Sequence, residues 1–250
     1  MAHDINCDLG EGFGPWRLGD DAALLRLVTS ANIACGFHAG DPSIMRRTCE
    51  LAVTNGVRIG AHIGYRDLVG FGRRAIAMSA ADLRDESLYQ IGALDAIAKS
   101  VGGDVSYVKP HGALYHSASS QQDAAHAIVS AAISSKPGLV IMGPAESSLH
   151  HAAVAAGTPF ESEGFADRAY LSTGSLAARG DSSAVLGIDA AIEQALALAT
   201  TGTVQTVDGR AITVRADSIC VHGDSPNSVE ILRRIRKRLQ SNSIEIEASR

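Results

Sequence analysis

A chain of 250 residues, 46% apolar and only 4% aromatic, has room for one large core, and Ala, Val, Ile and Leu rather than rings must fill its interior. The formal charge of −5 leaves no broad basic excess, which argues against nucleic acid as a partner. No apolar stretch reaches membrane-spanning length and no basic-then-apolar leader opens the chain, so no membrane association and a cytoplasmic location are expected.

In chain order, seven short apolar runs each end in charged, His or Gly residues. The first ends Asn6-Cys7-Asp8-Leu9-Gly10-Glu11 and the second Ala34-Cys35-Gly36-Phe37-His38-Ala39-Gly40-Asp41. Asp41-Pro42 then opens a helix as N-cap and first-turn proline, with Ile44, Thr48, Leu51 and Ala52 on one face and Asn55-Gly56 as its stop. The third run ends Gly60-Ala61-His62-Ile63-Gly64. A long irregular connection over 64–78 follows, and a helix is expected over 80–101. The fourth run ends Val108-Lys109-Pro110-His111-Gly112, where the proline leaves a cis peptide open. Ala-rich helices over 121–135, 145–156 and 184–199 surround the fifth run, ending at Glu146, and the sixth, ending Gly164-Phe165-Ala166-Asp167-Arg168. A second long connection covers 167–183. Asp208-Gly209 between alternating apolar residues predicts a hairpin insertion at 203–215. The seventh run ends Val221-His222-Gly223-Asp224, and a last helix carries Val229, Leu232, Ile235 and Leu239 on one side and the basic run Arg233 to Arg238 on the other. That run reads as a solvated helix face.

Strand and helix alternate without a linker or a shift in composition. The expectation is therefore one α/β domain over 1–250, built as a parallel β/α barrel. Such barrels place active sites at the C-terminal ends of their strands. The residues found there are Asp8, Glu11, His38, His62, Lys109, His111, Asp167, Arg168, His222 and Asp224, joined by Arg74 from the 64–78 connection. Asp8, His38 and His62 are candidate ligands for Zn²⁺ or another divalent ion, through convergence in space rather than through helical spacing. Asp41 is better explained as a helix cap. The four cysteines form no C-x-x-C pair and read as buried, reduced thiols. No phosphate loop, dinucleotide fingerprint, G-x-S-x-G or H-E-x-x-H occurs.

The segments INCDLGEGFG from Ile5, NIACGFHAGDP from Asn32, GAHIGYRDLVGFGRR from Gly60, VKPHGALY from Val108, GFADRAY from Gly164 and CVHGD from Cys220 closely resemble the LamB/YcsF family. The resemblance spans nearly the whole chain in order, with Ile63 standing where relatives commonly carry Pro. It implies a distorted seven-stranded, TIM-like β/α barrel of the glycoside hydrolase/deacetylase type. It further implies a role as one component of a multi-subunit, ATP-dependent 5-oxoprolinase. In that reaction 5-oxo-L-proline, ATP and two waters give L-glutamate, ADP and phosphate, with ATP as co-substrate and subunits B and C as partners. With no nucleotide motif in this chain, those partners would supply much of the phosphorylation machinery.

Within that reading, Asp8 or Glu11 serves as general base, and Lys109 and Arg168 neutralise a carboxylate or phosphate. His38, His62 and His222 position water, protonate the ring nitrogen or hold a metal. His111 belongs with the catalytic set, and Asp167, Arg168, His222, Asp224 and Arg74 with the substrate-binding set. Two other readings stand beside it: a free-standing metal-dependent amidohydrolase or deacetylase, and a non-catalytic substrate-binding component.

Overall fold

The computed structural model describes residues 2–181, 183–225 and 227–249. Seven parallel strands form the barrel: β1 (Ala2–Leu9), β2 (Ser30–Ala34), β3 (Arg58–Ile63), β4 (Val105–Pro110), β5 (Val140–Gly143), β6 (Phe160–Phe165) and β9 (Ser218–Val221). Each pairs with the next, and β9 closes the ring by pairing with both β6 and β1. The expected seven-stranded closure is therefore observed. Between β6 and β9, β7 (Thr203–Gln205) and β8 (Ala211–Thr213) form an antiparallel pair outside the barrel. A two-residue strand, β10 (Glu245–Ile246), adds to the start of β1.

The helices are α1 (Asp21–Leu24), α2 (Pro42–Asn55), α3 (Ala80–Ser100), α4 (Gly112–Ser120), α5 (Gln122–Ser135), α6 (Ser148–Ala155), α7 (Ile188–Thr200) and α8 (Ser228–Ser241). Asp41 caps α2 by accepting from the backbone N–H groups of Ser43 and Ile44, and Gly56 ends it in the left-handed region. Neither α1 nor α4 is anticipated by apolar periodicity. The first is a single turn, and the second is rich in Ser and small residues and begins at a glycine. The basic run on α8 is spent locally: Arg234 and Arg238 pair with Asp189 and Glu193 of α7, and Arg236 donates to the Leu27 carbonyl. Among the described residues no helix is long and apolar enough to cross a membrane.

The interior of the barrel departs from expectation. Along β1, Ile5, Cys7 and Leu9 belong to the apolar layer between strands and helices, while Asp4, Asn6 and Asp8 take the alternate side. The same alternation turns Ser30 and Asn32, Arg58 and His62, Tyr107 and Lys109, Glu161 and Glu163, and Ser218 and Cys220 inward. These groups bond to one another across the barrel. Asn6 Nδ2 donates to Ser218 Oγ at 2.7 Å, Asn32 Nδ2 to Asn6 Oδ1 at 2.7 Å, and Tyr107 Oη to Asn32 Oδ1 at 2.6 Å. Arg58 pairs with Glu161 at 2.8 Å and lies over the Tyr107 ring. Gly60 leaves the room for that ring, because a Cβ there would fall 2.1 Å from Tyr107 Cζ. Aliphatic side chains thus fill the layer around the strands, and a hydrogen-bonded column fills the barrel itself.

Candidate active site

The strand ends bring Glu11, His38, His62 and His111 together in one buried group, with one donor atom from each within 4.8 Å of the others. Glu11 Oε1 lies 3.4 Å from His38 Nε2, 3.4 Å from His111 Nδ1 and 3.9 Å from His62 Nε2. The His38 and His111 rings stack at 3.8 Å between centroids, and His62 meets both edge-on. Gly72 lets the 64–78 connection close over this group. It is left-handed at φ +64°, and a Cβ there would fall 2.6 Å from that of His38.

The hydrogen bonds set the tautomers. His62 Nδ1 lies 3.2 Å from the Lys109 carbonyl oxygen, and His111 Nε2 lies 2.9 Å from that of Phe71. A carbonyl only accepts, so both nitrogens carry hydrogen. Their other nitrogens, His62 Nε2 and His111 Nδ1, face each other at 3.0 Å. Burial, with His38 and His62 alongside, holds the His111 pKa well below the usual imidazole range, so His111 is neutral. Burial likewise holds His38 neutral, and neither of its ring nitrogens has a hydrogen-bond partner. Glu11 Oε1 also lacks one. Three imidazoles, two of them anchored by backbone carbonyls, converging on an unbonded carboxylate oxygen fit a divalent cation such as Zn²⁺. Of the sequence candidates for metal binding, His38 and His62 belong to this set. Asp8 does not, and Glu11 and His111 take its place.

Asp8 stands beside the group, with Oδ1 accepting from Asn32 Nδ2 at 2.8 Å and Lys109 Nζ at 3.0 Å, and lying 3.4 Å from His62 Nε2. Burial alone would raise its pKa, but His62 and Lys109 overturn that and hold it well below the carboxylate range. Burial alone would likewise neutralise Lys109, yet Asp8, Cys220 and Glu163 keep it charged, with Nζ 2.7 Å from Glu163 Oε1. The Lys109–Pro110 peptide is trans.

These groups open into a cavity of about 410 Å³, walled by Asp8, His62, Lys109, His111, Phe165 and His222 on its deep side. His222 is held by Asp167: its Nδ1 lies 3.0 Å from Oδ1, its backbone N–H donates to Oδ2 at 3.1 Å, and its ring stacks on Phe165. A carboxylate on Nδ1 fixes the ring so that Nε2 remains free to exchange a proton. Despite burial, His222 keeps the Asp167 pKa lowered.

Three further predicted residues are engaged by partners within the chain. Arg168 reaches the cavity, but its guanidinium donates to the carbonyls of Ala184 at 3.1 Å and Ala177 at 2.6 Å, bracing the second long connection. Ser182 of that connection lies outside the described residues. Arg74 pairs with Asp67 and is two-thirds exposed, away from the cavity wall. Asp224 is engaged by Arg73 and Arg179, both of which line the cavity. Arg73, Arg179 and Tyr115 also line the cavity and Glu163 pairs with Lys109, and the sequence reading assigns none of the four to the site. The alternation Glu161-x-Glu163 in a strand is a usable signal for Glu163; the two arginines lie in irregular loops with no pattern to mark them.

Fold and mouth together define a β/α-barrel protein with a buried imidazole–carboxylate centre at its strand ends. The LamB/YcsF family model matches residues 3–250, and the chain belongs to that family. It is 62% identical over 248 residues to a Nocardia farcinica protein that bears the name of the A subunit of 5-oxoprolinase, covering 99% of each chain. It is 50% identical over 246 residues to one of the same name from Streptomyces avermitilis, covering 98% of each. The crystal structure of a lactam utilization protein from Thermus thermophilus superposes with a TM-score of 0.93 at 40% identity, covering 100% of both chains.

Proposed function

We infer that this chain is the lactam-opening component of an ATP-dependent 5-oxoprolinase that works in the cytoplasm with subunits B and C. The observation that carries the chemistry is the convergence of Glu11, His38, His62 and His111 beside the Asp8–Lys109 pair, with Asp8, His62, Lys109 and His111 lining one cavity with the Asp167-held His222. Full-length identity to relatives named for that activity supports the substrate. Four free, buried cysteines suit a reducing compartment.

A lactam resists hydrolysis because amide resonance weakens its electrophile. In the assembled enzyme ATP would phosphorylate the carbonyl oxygen, with the partners supplying the nucleotide site. Water then adds to the ring carbon and the carbon–nitrogen bond breaks, leaving a side-chain acyl phosphate that a second water hydrolyses to the glutamate carboxylate and phosphate. Asp8, held ionised, accepts hydrogen bonds from the attacking water and orients it. His222 passes a proton from Nε2 to the departing ring nitrogen while Asp167 stabilises the resulting positive charge. Lys109 keeps Asp8 charged and aimed. Glu11, His38, His62 and His111 would hold a divalent cation, which when bound polarises a carbonyl or phosphoryl oxygen.

The test is glutamate release from 5-oxo-L-proline by this chain alone and with its B and C partners, each with and without ATP and chelator. Turnover only with partners and ATP is expected. The imidazole–carboxylate cluster also suits a self-sufficient metal-dependent amidohydrolase, and chelator-sensitive turnover by the chain alone would establish that reading instead.

A further inference from the structure

A lactam acid such as 5-oxo-L-proline carries a carboxylate as well as an amide, and the cavity must neutralise it. The two cations expected to do so are already committed. Lys109 sits between Asp8 and Glu163, and the buried Arg168 guanidinium is fixed by bonds from Nε and Nη2 to backbone carbonyls. Two further guanidiniums reach the cavity wall, Arg73 from the 64–78 connection and Arg179 from the 167–183 connection. Both donate to one oxygen of one carboxylate: Asp224 Oδ2 lies 2.5 Å from Arg73 Nη2 and 3.3 Å from Arg179 Nη1. One negative charge thus serves two positive ones. Each guanidinium carries five N–H donors in a planar fork, so most remain for another acceptor. The pair is about one-third exposed, whereas Asp224 is mostly buried, so the free donors lie on the open side. The Phe71 ring beneath the Arg73 guanidinium restricts its motion.

We propose that Arg73 and Arg179 form an anion subsite that binds the carboxylate of a small amide substrate, with Asp224 tethering the two loops that carry them. The proposal rests on the lactam reading for its substrate. A carboxylate rather than a phosphate is favoured because the pair already accommodates one carboxylate, and a planar fork matches a second. The cavity that the arginines enter is walled at depth by His62, His111 and His222. An acid held at the rim would direct its amide toward that end.

Calorimetric titration of the full chain with 5-oxo-L-proline and with 2-pyrrolidinone, the same ring without the acid, separates charge recognition from ring recognition. Arg73→Gln and Arg179→Gln are each expected to weaken the acid by roughly 10- to 100-fold, the span of one charge-assisted hydrogen bond, and to leave the neutral lactam within about twofold. Retained pyrrolidinone binding also certifies that the variant cavity is folded. Equal losses for both ligands, or none for the acid, overturn the proposal. Acetate and inorganic phosphate, titrated while the arginine Nε resonances are observed, test the subsite apart from the lactam reading. Saturable shifts at Arg73 and Arg179 with acetate uphold it even where no lactam binds. Tighter binding of phosphate there overturns the carboxylate assignment in favour of a phosphoryl group.

Discussion

The two halves of the barrel interior use the same kinds of side chain to opposite ends. At the N-terminal half, Asp4 accepts from the hydroxyls of Thr29 and Ser30 at 2.7 Å each and from that of Ser218, while Tyr107, Asn32, Asn6 and Ser218 are linked in a chain of donors and acceptors. At the C-terminal half, both ring nitrogens of His38 and one oxygen of Glu11 have no hydrogen-bond partner although they are equally buried. A buried polar group without a partner costs stability, so it persists where another requirement holds it in place. The lower column links side chains of six of the seven barrel strands, β1, β2, β3, β4, β6 and β9; the upper cluster holds unspent donor capacity in a shaped space. Substitutions in the two halves should therefore separate stability from activity.

The largest effect is expected at the mouth. Asp8→Asn should lower turnover of the assembled enzyme by about 10²- to 10⁴-fold, the range lost with a proton-handling group, read on protein whose fold is verified by circular dichroism. Glu11→Gln removes a charge that burial already disfavours: with Asp8 and Asp224 nearby, desolvation pushes its pKa well up. That variant should keep or gain thermal stability and lose bound Zn²⁺, read by metal analysis after dialysis. A Glu11→Gln protein that retains stoichiometric metal would remove Glu11 from the ligand set.

The opposite result is expected below. Asp4→Ala strands three hydroxyls and should cost about 3–5 kcal/mol in urea denaturation, as for breaking a buried charged network. The fraction that remains folded should bind metal normally. If Asp4→Ala instead abolished metal binding in folded protein, the two halves would be one functional unit.

This division also marks what is legible in the sequence. Strand order, barrel closure and most helices follow from runs of Ile, Val and Ala punctuated by Gly and Pro. The convergence of Glu11, His38, His62 and His111 follows from their strand-end positions, since closure brings all such ends to one mouth. The polar column is equally present, as Asp4-x-Asn6-x-Asp8, Ser30-x-Asn32 and Glu161-x-Glu163. It is masked because barrel cores are ordinarily aliphatic and the strands read as apolar runs. Two-residue alternation is the signal, and it tells which side faces inward. What no pattern carries is loop geometry. Arg73 and Arg74 are adjacent and chemically identical, yet one enters the cavity and the other pairs with Asp67 outside it. Only the path of the backbone around Gly70 and Gly72 decides between them.

The smallest predicted effect lies at an aspartate between the two extremes. Asp4 has three hydroxyl donors, whereas Asp21, at the start of α1, accepts from the Gly10 backbone N–H at 3.2 Å. Burial raises its pKa to about 6; that hydrogen bond and Arg47 pull it down, and Asp20 pushes it up. A carboxyl whose folded pKa lies above its unfolded value binds more protons in the native state. Its stabilising contribution is therefore complete below about pH 4 and is lost as pH rises to about 6. The full shift corresponds to at most about 3 kcal/mol, and partial exposure reduces this to about 1–2 kcal/mol. Asp21→Asn keeps an acceptor for Gly10 and cannot ionise. It should match the wild type near pH 4 and exceed it by that margin at pH 7 to 8 in urea denaturation. A constant difference across the range would mean that the Asp21 charge is already compensated, as it is for the carboxylates deeper in the barrel.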